Sequence, residues 1–381
     1  MNRSVQITGY SRLKTEEKWS SELLDMAVTV ASDALEQCSH NQVDIIITAN
    51  TLGGAIGDQR NLALYLGGRL GLKNIETINV DCDGASGGCA IRQGVALIRS
   101  GMFKKVLIAG AEKTGDLLPD ALELALAGGL DNRSEVPFGF SPSTAAALGM
   151  SSYLERYNLD EELFYYLAQS AHYNGSDNSY GMFPWKLSIE QYKQSLPVAT
   201  PLKVMDRAPL CDGAAAMVLE ASDETSKNKS DLFIIGSAGA SFKPSISLPV
   251  ESLDLPAVES SVKQALKEAG LSIDEISCFD FHDSNAFLAA LAIESSGLSK
   301  KGEALKDAKE GRFLKEGNAP VWLYGGNKSR GYAPGASGVY QGVEACLALN
   351  SDSFIKKSKA AMMVSLGNFG AVALTHIIGK R

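Results

Sequence analysis

Short runs of apolar residues alternate along this chain with longer segments whose apolar positions recur at helical spacing. This alternation is typical of an α/β fold with a largely buried sheet. The short runs predict strands at residues 43–48, 74–80, 105–109, 276–281, 321–324, 360–366 and 371–378. The longer segments predict helices at residues 61–70, 85–99, 284–296 and 336–349.

A four-residue motif occurs twice and indicates an internal duplication. Residues 84–87 (Gly-Ala-Ser-Gly) open the small-residue helix of the first half, and residues 335–338 repeat the same four residues in the second. Each of these helices is followed by a predicted strand, so both halves share one strand–helix–strand order. We therefore predict two related halves.

The stretch between the halves has a different composition. Residues 115–205 are rich in tyrosine, phenylalanine and proline, and a connection of this length in a compact domain usually serves a function. We predict an inserted loop domain at 115–205 that covers the site, a first half made of 1–114 and 206–245, and a second half at 246–381. The aromatic residues expected to contribute to the wall of the cleft are Tyr165, Tyr166, Tyr173, Tyr180, Phe183 and Trp185.

Composition narrows the class of protein. The chain has 381 residues, 45% of them hydrophobic, and 36 basic against 44 acidic residues give a formal charge of −8. That balance argues against nucleic acid or an anionic membrane as a partner, and the apolar runs fall short of the ~18 residues of a membrane span. The six cysteines lack metal-ligand spacing, so we expect no metal and a reduced, soluble cytoplasmic protein.

Three stretches carry candidate chemistry. They are residues 81–90 (Asp-Cys-Asp-Gly-Ala-Ser-Gly-Gly-Cys-Ala), residues 205–216, and residues 281–283 (Phe-His-Asp) with the glycine-rich 325–338. Each also has a purely structural interpretation: a Gly/Ala/Ser run is most often a close-packing device, and His282 or Tyr332 could simply be packed. Their predicted positions at strand ends and glycine-rich turns favour convergence on one cleft.

Taken together and in this order, these stretches resemble the thiolase superfamily, especially its sterol-carrier-type branch. The resemblance covers nearly the whole chain. It implies a five-layer α-β-α-β-α fold with duplicated halves and an inserted loop domain, a homodimer, and an acyl-CoA or related thioester as substrate with no other cofactor. Many members work with a small zinc-ribbon and OB-fold protein, and the sequence leaves room for such a partner.

The chain departs from the superfamily at its catalytic positions. Thiolases carry a nucleophilic cysteine directly before the Ala-Ser-Gly helix start, where this chain has Gly84. Glycine has no side chain, so no acyl-enzyme can form at this position. The superfamily's Gly-His-Pro histidine matches Tyr332, whereas the histidine of the His-Asp pair is present as His282. The terminal catalytic segment is also altered, and reads Val-Ser-Leu-Gly-Asn at 364–368.

This combination is similar to the thiolase-like aldolases of bacterial steroid side-chain breakdown. Those proteins also have glycine in place of the cysteine, a tyrosine at the position of Tyr332, and a cysteine that matches Cys89. They differ in having a second tyrosine where this chain has His282, so the substrate is not carried over.

The resemblance implies cleavage or formation of a C–C bond on a thioester without an acyl-cysteine intermediate. His282 and Tyr332 would be the base and the acid, with His282 the easier base because histidine titrates near neutrality. Backbone N–H groups at Gly325, Gly326 and Gly367 would stabilise the enolate oxygen.

Two alternatives stay open. The chain could be a non-catalytic thiolase-fold subunit of a multi-protein acyltransferase, or an acyltransferase of the thiolase or ketoacyl-synthase type that uses Cys82 or Cys89. We expect Cys89 to point into the core. Cys82 lies between Asp81 and Asp83, whose charges would raise the pKa of its thiol.

Overall fold

The computed structural model describes residues 3–54, 59–222, 230–351 and 360–380. The strands are β1 Ser4–Arg12, β2 Ile45–Ala49, β3 Glu76–Val80, β4 Lys105–Glu112, β5 Pro197–Ala199, β6 Leu202–Lys203, β7 Gly213–Ser222, β8 Leu232–Ser241, β9 Cys278–Phe281, β10 Ala360–Gly367 and β11 Val372–Lys380. The α-helices are α1 Leu23–Glu36, α2 Leu62–Arg69, α3 Ser86–Ser100, α4 Pro119–Ala127, α5 Pro142–Tyr157, α6 Tyr165–Asn174, α7 Ile189–Lys193, α8 Ser247–Ser252, α9 Pro256–Ala269, α10 Ala286–Ser295, α11 Ala304–Lys309 and α12 Ser337–Asn350. Within these described ranges, no helix has both the length and the apolar character needed to cross a bilayer.

The strands form two half-sheets that meet at one edge. The hydrogen-bonded order is β3-β2-β4-β7-β1 in the first half, continuing as β8-β11-β10-β9 in the second. At the junction, β1 and β8 pair only at Val5–Ile234 and Gln6–Phe233, whereas β1 pairs with β7 along its whole length. In each half the strands toward the outer edge pair in parallel (β3-β2-β4 and β10-β9), and those toward the junction pair antiparallel (β4-β7-β1 and β8-β11-β10), the shared arrangement expected of an internal duplication.

Helices form the remaining three layers. Helix α1 packs on the outer face of the first half-sheet and α9 on that of the second, while α3 and α12 lie between the two. The two central helices approach so closely that a Cβ on Gly87 would lie 2.6 Å from Val339 N, and one on Gly338 would lie 2.2 Å from Gly88 N. Only glycine fits at such a crossing, which explains why the Gly-Ala-Ser-Gly motif occurs in both halves. The predicted five-layer fold is confirmed.

The region at 115–205 packs mainly against the second half. Its helices α5 and α6 contact α10 and α11 and share one hydrophobic core with them, including Tyr153, Phe164 and Phe287. Strand β8 lies within the 206–245 range assigned to the first half, yet it pairs along its length with β11. Strand pairing thus favours a boundary before Leu232, and the domain limits stay a prediction.

One predicted strand, 321–324, is wrong. Val321 makes only an isolated bridge to Phe279, and the next residue, Trp322, has a left-handed φ of 56° that ends the extended backbone. Its indole N–H donates to the Phe281 carbonyl at 2.7 Å, so the segment turns back under β9. The other predicted elements are confirmed, with limits within three residues of those observed.

Candidate functional site

A tight turn after β3 places Gly84 in front of α3. Ser86 fixes this turn, since its Oγ accepts from Cys82 N at 2.7 Å and donates to the Asp83 carbonyl at 2.7 Å. Thr51 Oγ1 donates to the same carbonyl at 2.9 Å. Asp83 has a left-handed φ of 51°, and the short side chains around it let the chain reverse directly into the helix.

Gly84 faces the two candidate catalytic side chains. A Cβ built on it would lie 2.7 Å from His282 Cε1, 2.7 Å from Tyr332 Oη and 2.7 Å from the Leu366 carbonyl oxygen. Gly84 thus lies directly before a buried helix and next to both His282 and Tyr332. The surrounding atoms leave no space for a Cβ at this position.

We expect Gly84→Ala to destabilise the fold by about 1–3 kcal/mol, because the added methyl group overpacks a site with no free space. Chemical denaturation of the two proteins measures the difference. Gly68→Ala is the matched control, since a Cβ there meets nothing within 4 Å and Ala is the better helix former in α2. Equal stability of Gly84→Ala and the parent would contradict this packing.

His282 follows β9 and is held by backbone bonds on both sides. Its N–H donates to the Val364 carbonyl of β10 at 2.8 Å. The next residue, Asp283, accepts from Asn327 N at 2.7 Å and from Lys328 N at 3.1 Å, which fixes the turn that leads to Tyr332. Burial, with the Arg330 charge adding to it, lowers the pKa of His282 to about 3. The imidazole is therefore neutral near pH 7 and, with so low a pKa, a weak proton acceptor, and its role as the base stays a prediction.

Tyr332 lies across from His282 in the same cleft. Its N–H donates to the Pro209 carbonyl at 2.7 Å, and its own carbonyl accepts from Cys211 N at 3.0 Å. These two bonds form a parallel β-bridge with Leu210, which fixes the backbone of Tyr332. The His282 and Tyr332 rings lie 5.4 Å apart, edge to face at 87°. Burial, followed by the Asp83, Glu112 and Asp283 charges, raises the pKa of Tyr332 well above its usual value, so it keeps its proton. The predicted convergence of these two side chains is confirmed.

The cleft has mainly aliphatic and small residues on the loop-domain side. Those from 115–205 that line it are Glu123, Leu126, Gly129, Leu130, Pro142 and Ser143. The predicted aromatic residues are not among those that line this cleft in the described part of the chain. Tyr165, Tyr166 and Trp185 belong to a separate small core, and Tyr180 packs against Arg12. Phe183 and Trp185 line a neighbouring pocket that shares Arg207, Ala208 and Leu210 with the cleft, so the insertion covers the cleft while its aromatic residues lie beside it.

The sequence analysis gave no catalytic or binding role to several polar residues of the cleft. Asp83, Arg207 and Asn285 are among them, and they line the cleft together with His282 and Tyr332. Arg207 donates to Glu123 at 2.9 Å, and Asn285 caps α10 by accepting from Leu288 N at 2.9 Å. Burial raises the pKa of Asp83 to about 6, although it accepts from Asn368 N at 2.7 Å. The sequence feature that could have identified Asp83 is its position directly before Gly84. The sequence analysis uses its charge only to explain the pKa of Cys82.

Cys82 and Cys89 contact each other. Both are half-buried, whereas the sequence analysis expects Cys89 to point into the core. Their side chains share a hydrogen bond that lowers the pKa of Cys89 to about 7 and raises that of Cys82, to which Asp83 and Asp81 add. Neither thiol is among the residues that line the His282 cleft in the described part of the chain.

Of the glycines predicted to stabilise the enolate, Gly325 and Gly326 lie away from the cleft and Gly367 lies next to it. Gly325 and Gly326 pack against Ser329, Trp322 and Asp283, outside the described cleft lining, and the Gly325 N–H already donates to the Trp322 carbonyl at 2.8 Å. The prediction of an enolate site at Gly325 and Gly326 is therefore not supported by their placement. Gly367 lies beside the cleft residue Leu366, and its role stays a prediction.

Comparisons with known proteins bear on this arrangement. Residues 240–380 match the family described as thiolase C-terminal domain-like. The chain is 28% identical over 386 residues to an acetyl-CoA acetyltransferase of Methanothermobacter thermautotrophicus, covering 99% of this chain and 100% of the relative. It is 25% identical over 403 residues to sterol carrier protein 2 of Gallus gallus, covering 98% of this chain and 72% of that protein.

Two solved structures show the same fold. One is the Ltp2-ChsH2(DUF35) aldolase, with a TM-score of 0.83 and 17% identity, covering 99% of this chain and 98% of that one. The other is human mitochondrial 3-ketoacyl-CoA thiolase, with a TM-score of 0.75 and 19% identity, covering 99% of both chains. At these identities the likeness concerns the fold.

Proposed function

The chain belongs to the thiolase superfamily, on its sterol-carrier-type branch, and from this premise we propose that it cleaves or forms a C–C bond on an acyl-CoA thioester without an acyl-cysteine intermediate. One observation carries the proposal. The position before α3 holds Gly84, and His282 and Tyr332 both approach within 2.7 Å of the place where a side chain would begin. The groups next to this position, an imidazole and a phenol, can transfer protons and donate hydrogen bonds, and Gly84 provides no nucleophile.

An aldol-type reaction fits these groups. Cleavage of a β-hydroxyacyl thioester needs a base for the hydroxyl proton and stabilisation of the negative charge that develops on the thioester oxygen. Tyr332 keeps its proton and can donate a hydrogen bond to that oxygen, as catalytic hydrogen-bond donors do in acyl chemistry. The neutral His282, whose Nδ1 makes no hydrogen bond with any described residue, is available to the same charge.

The cleft also has apolar walls and a positive charge that an acyl-CoA thioester could contact. Leu126, Leu130 and Phe369 provide apolar walls for the acyl and pantetheine parts, between the loop domain and the second half. Arg207 provides a positive charge at the wall, balanced by Glu123. The names of the relatives support this substrate class, since those quoted above include an acetyl-CoA acetyltransferase and a 3-ketoacyl-CoA thiolase.

We also propose two kinds of protein contact. A homodimer fits the superfamily, and β3 offers an edge for it, because this strand pairs only with β2 in the described part of the chain. The similar aldolase structure, the Ltp2-ChsH2(DUF35) aldolase, includes DUF35 in its name, which supports a second, heterologous partner. Gel filtration alone and after co-expression with a DUF35 protein tests both.

The test of the proposed function is a panel of β-hydroxyacyl-CoA thioesters, followed by mass spectrometry of the acyl-CoA products. We expect the shorter acyl-CoA to appear together with a carbonyl compound, and we expect no acyl group on the protein. Absence of cleavage across the panel, with or without a DUF35 partner, would favour the non-catalytic subunit.

We expect the Cys82→Ser, Cys89→Ser double variant to keep its turnover within a few-fold, since neither thiol lines the cleft. The pKa of Cys89, about 7, means that alkylation alone proves nothing, so the measurement is turnover together with intact protein mass. Cys38→Ser, also at a half-buried thiol, is the matched control. An acyl adduct on Cys82 or Cys89, lost together with activity in the double variant, would establish the acyltransferase alternative.

A further inference from the structure

We propose that Asp83 is the catalytic base of this cleft, the group that takes the proton from the β-hydroxyl and returns it to the thioester α-carbon. This inference rests on the proposed function and assigns the role of the base, for which His282 and Tyr332 are less suited. It follows from where the carboxylate lies, how it is held, and what else lines the cleft.

The position of Asp83 is set by the turn that also presents Gly84. Asp83 lines the same cleft as His282, Tyr332 and Asn285. Its carboxylate accepts from Asn368 N at 2.7 Å, and a Cβ on Gly129 would lie 3.1 Å from its Oδ2. The carboxylate is thus held between the loop domain and the cleft, at a fixed place beside the Gly84 position.

The other titratable groups that face the cleft fit the role less well. His282 is neutral with a pKa of about 3, and so is a weak base near pH 7. Tyr332 keeps its proton. Glu123 is engaged with Arg207 in an ion pair at 2.9 Å. A general base is most effective when its pKa lies near the working pH, and burial moves the pKa of Asp83 to about 6.

The surroundings of Asp83 explain why its pKa is raised while the carboxylate still ionises near neutral pH. Asp81, on its own turn, adds a repulsive charge that raises the pKa of Asp83, while the N–H of Asn368 stabilises the ionised form. Cys82 is the adjacent thiol, and the other titratable or charged groups that line the cleft are Tyr332, His282, Glu123 and Arg207. Burial is the largest of these influences, so the carboxylate is a stronger base than an exposed aspartate.

The proposed step balances without any added reagent. The Asp83 carboxylate takes the β-hydroxyl proton, and the C–O bond becomes the C=O of the released carbonyl compound. The Cα–Cβ bond breaks, and its electron pair forms the thioester enolate, whose oxygen is stabilised by Tyr332. The protonated Asp83 then gives its proton to Cα, which yields the shorter acyl thioester and restores the carboxylate.

The reverse of the last step gives a test that needs no knowledge of the carbonyl partner. If Asp83 can remove the Cα proton, the protein incubated with propionyl-CoA in D₂O exchanges that proton for deuterium, which mass spectrometry detects. We expect wild-type exchange to fall as pH drops through about 6, because only the carboxylate form is active. We expect Asp83→Asn to lose at least about 10²-fold of the exchange rate and the pH dependence near 6.

Asp81→Asn is the matched control. Its side-chain oxygen can still accept from Asp83 N, as Asp81 does at 3.1 Å, but its charge is gone. We expect exchange within a few-fold of wild type, with the acid limb moved to lower pH, because the Asp81 charge raises the pKa of Asp83. Circular dichroism and binding of CoA establish that each variant is folded with an intact ligand site.

The outcomes separate this inference from the proposed function. Exchange by folded Asp83→Asn at the wild-type rate, or with the acid limb retained, overturns the role of Asp83 even if wild type cleaves β-hydroxyacyl-CoA. Exchange that depends on Asp83 in a protein that cleaves no β-hydroxyacyl-CoA supports Asp83 as the base and overturns the aldol reaction. A wild-type protein that neither exchanges nor cleaves overturns both.

Discussion

Tyr332→Phe should lower the turnover of the thioester by about 10²–10³-fold while leaving KM nearly unchanged. The substitution removes only the Oη that lies 2.7 Å from the Gly84 Cβ position, and a lost donor to a developing oxyanion typically has this effect. His282→Ala should lower turnover by about 10²-fold or more for the same reason. Steady-state kinetics with purified variants measures both.

The pH profile sharpens this expectation. Tyr332 keeps its proton and His282 stays neutral across the assay range, so neither variant should move the acid limb of the profile. Tyr180→Phe and His40→Ala are the matched controls, because both side chains are exposed and lie outside the described cleft lining. Unchanged turnover in both Tyr332→Phe and His282→Ala would remove the cleft as the site of catalysis.

Glu344→Gln should destabilise the fold by about 3–5 kcal/mol, the usual cost of leaving a buried charge without its partner. Glu344 on α12 accepts from both Arg12 of β1 and Arg330, and it is only 2% exposed. Arg330 lies 1% exposed two residues before Tyr332, so the substitution should also disturb the catalytic turn. Denaturant unfolding measures the first effect and turnover the second.

A surface pair provides the comparison. Glu303→Gln breaks an exposed ion pair with Lys306 at 2.8 Å and should cost at most about 1 kcal/mol. If Glu344→Gln cost no more than Glu303→Gln, the buried pair would not be what joins α12 to β1 and the Tyr332 turn.

Much of the fold was predictable because burial imposes a pattern on the sequence. The strands β2, β4 and β10 are buried along their whole length, so each appears in the sequence as a run of apolar residues. The glycines of α3 and α12 indicate in the sequence that these two helices cross closely. The strand predicted at 321–324 failed because its apolar residues are buried in a turn. Apolar character there reflects burial of Trp322 rather than extended backbone.

The candidate site was predictable in part. A resemblance in motif order located Gly84, His282 and Tyr332, since residue identity alone marks those positions. It could not locate Asp83 as a cleft residue, because its placement depends on a left-handed turn and on contacts from Asn368, 285 positions away. Likewise, the low pKa of His282 comes from burial and from Arg330, which sequence spacing does not reveal.

The crowding at Gly84 also limits how a nucleophile could be engineered into this cleft. Gly84→Cys would place its Cβ 2.7 Å from Tyr332 Oη, His282 Cε1 and the Leu366 carbonyl oxygen, so the new thiol fits only if these atoms move. Conversion of the cleft to covalent chemistry would therefore require changes at positions 282 and 332 together with the cysteine.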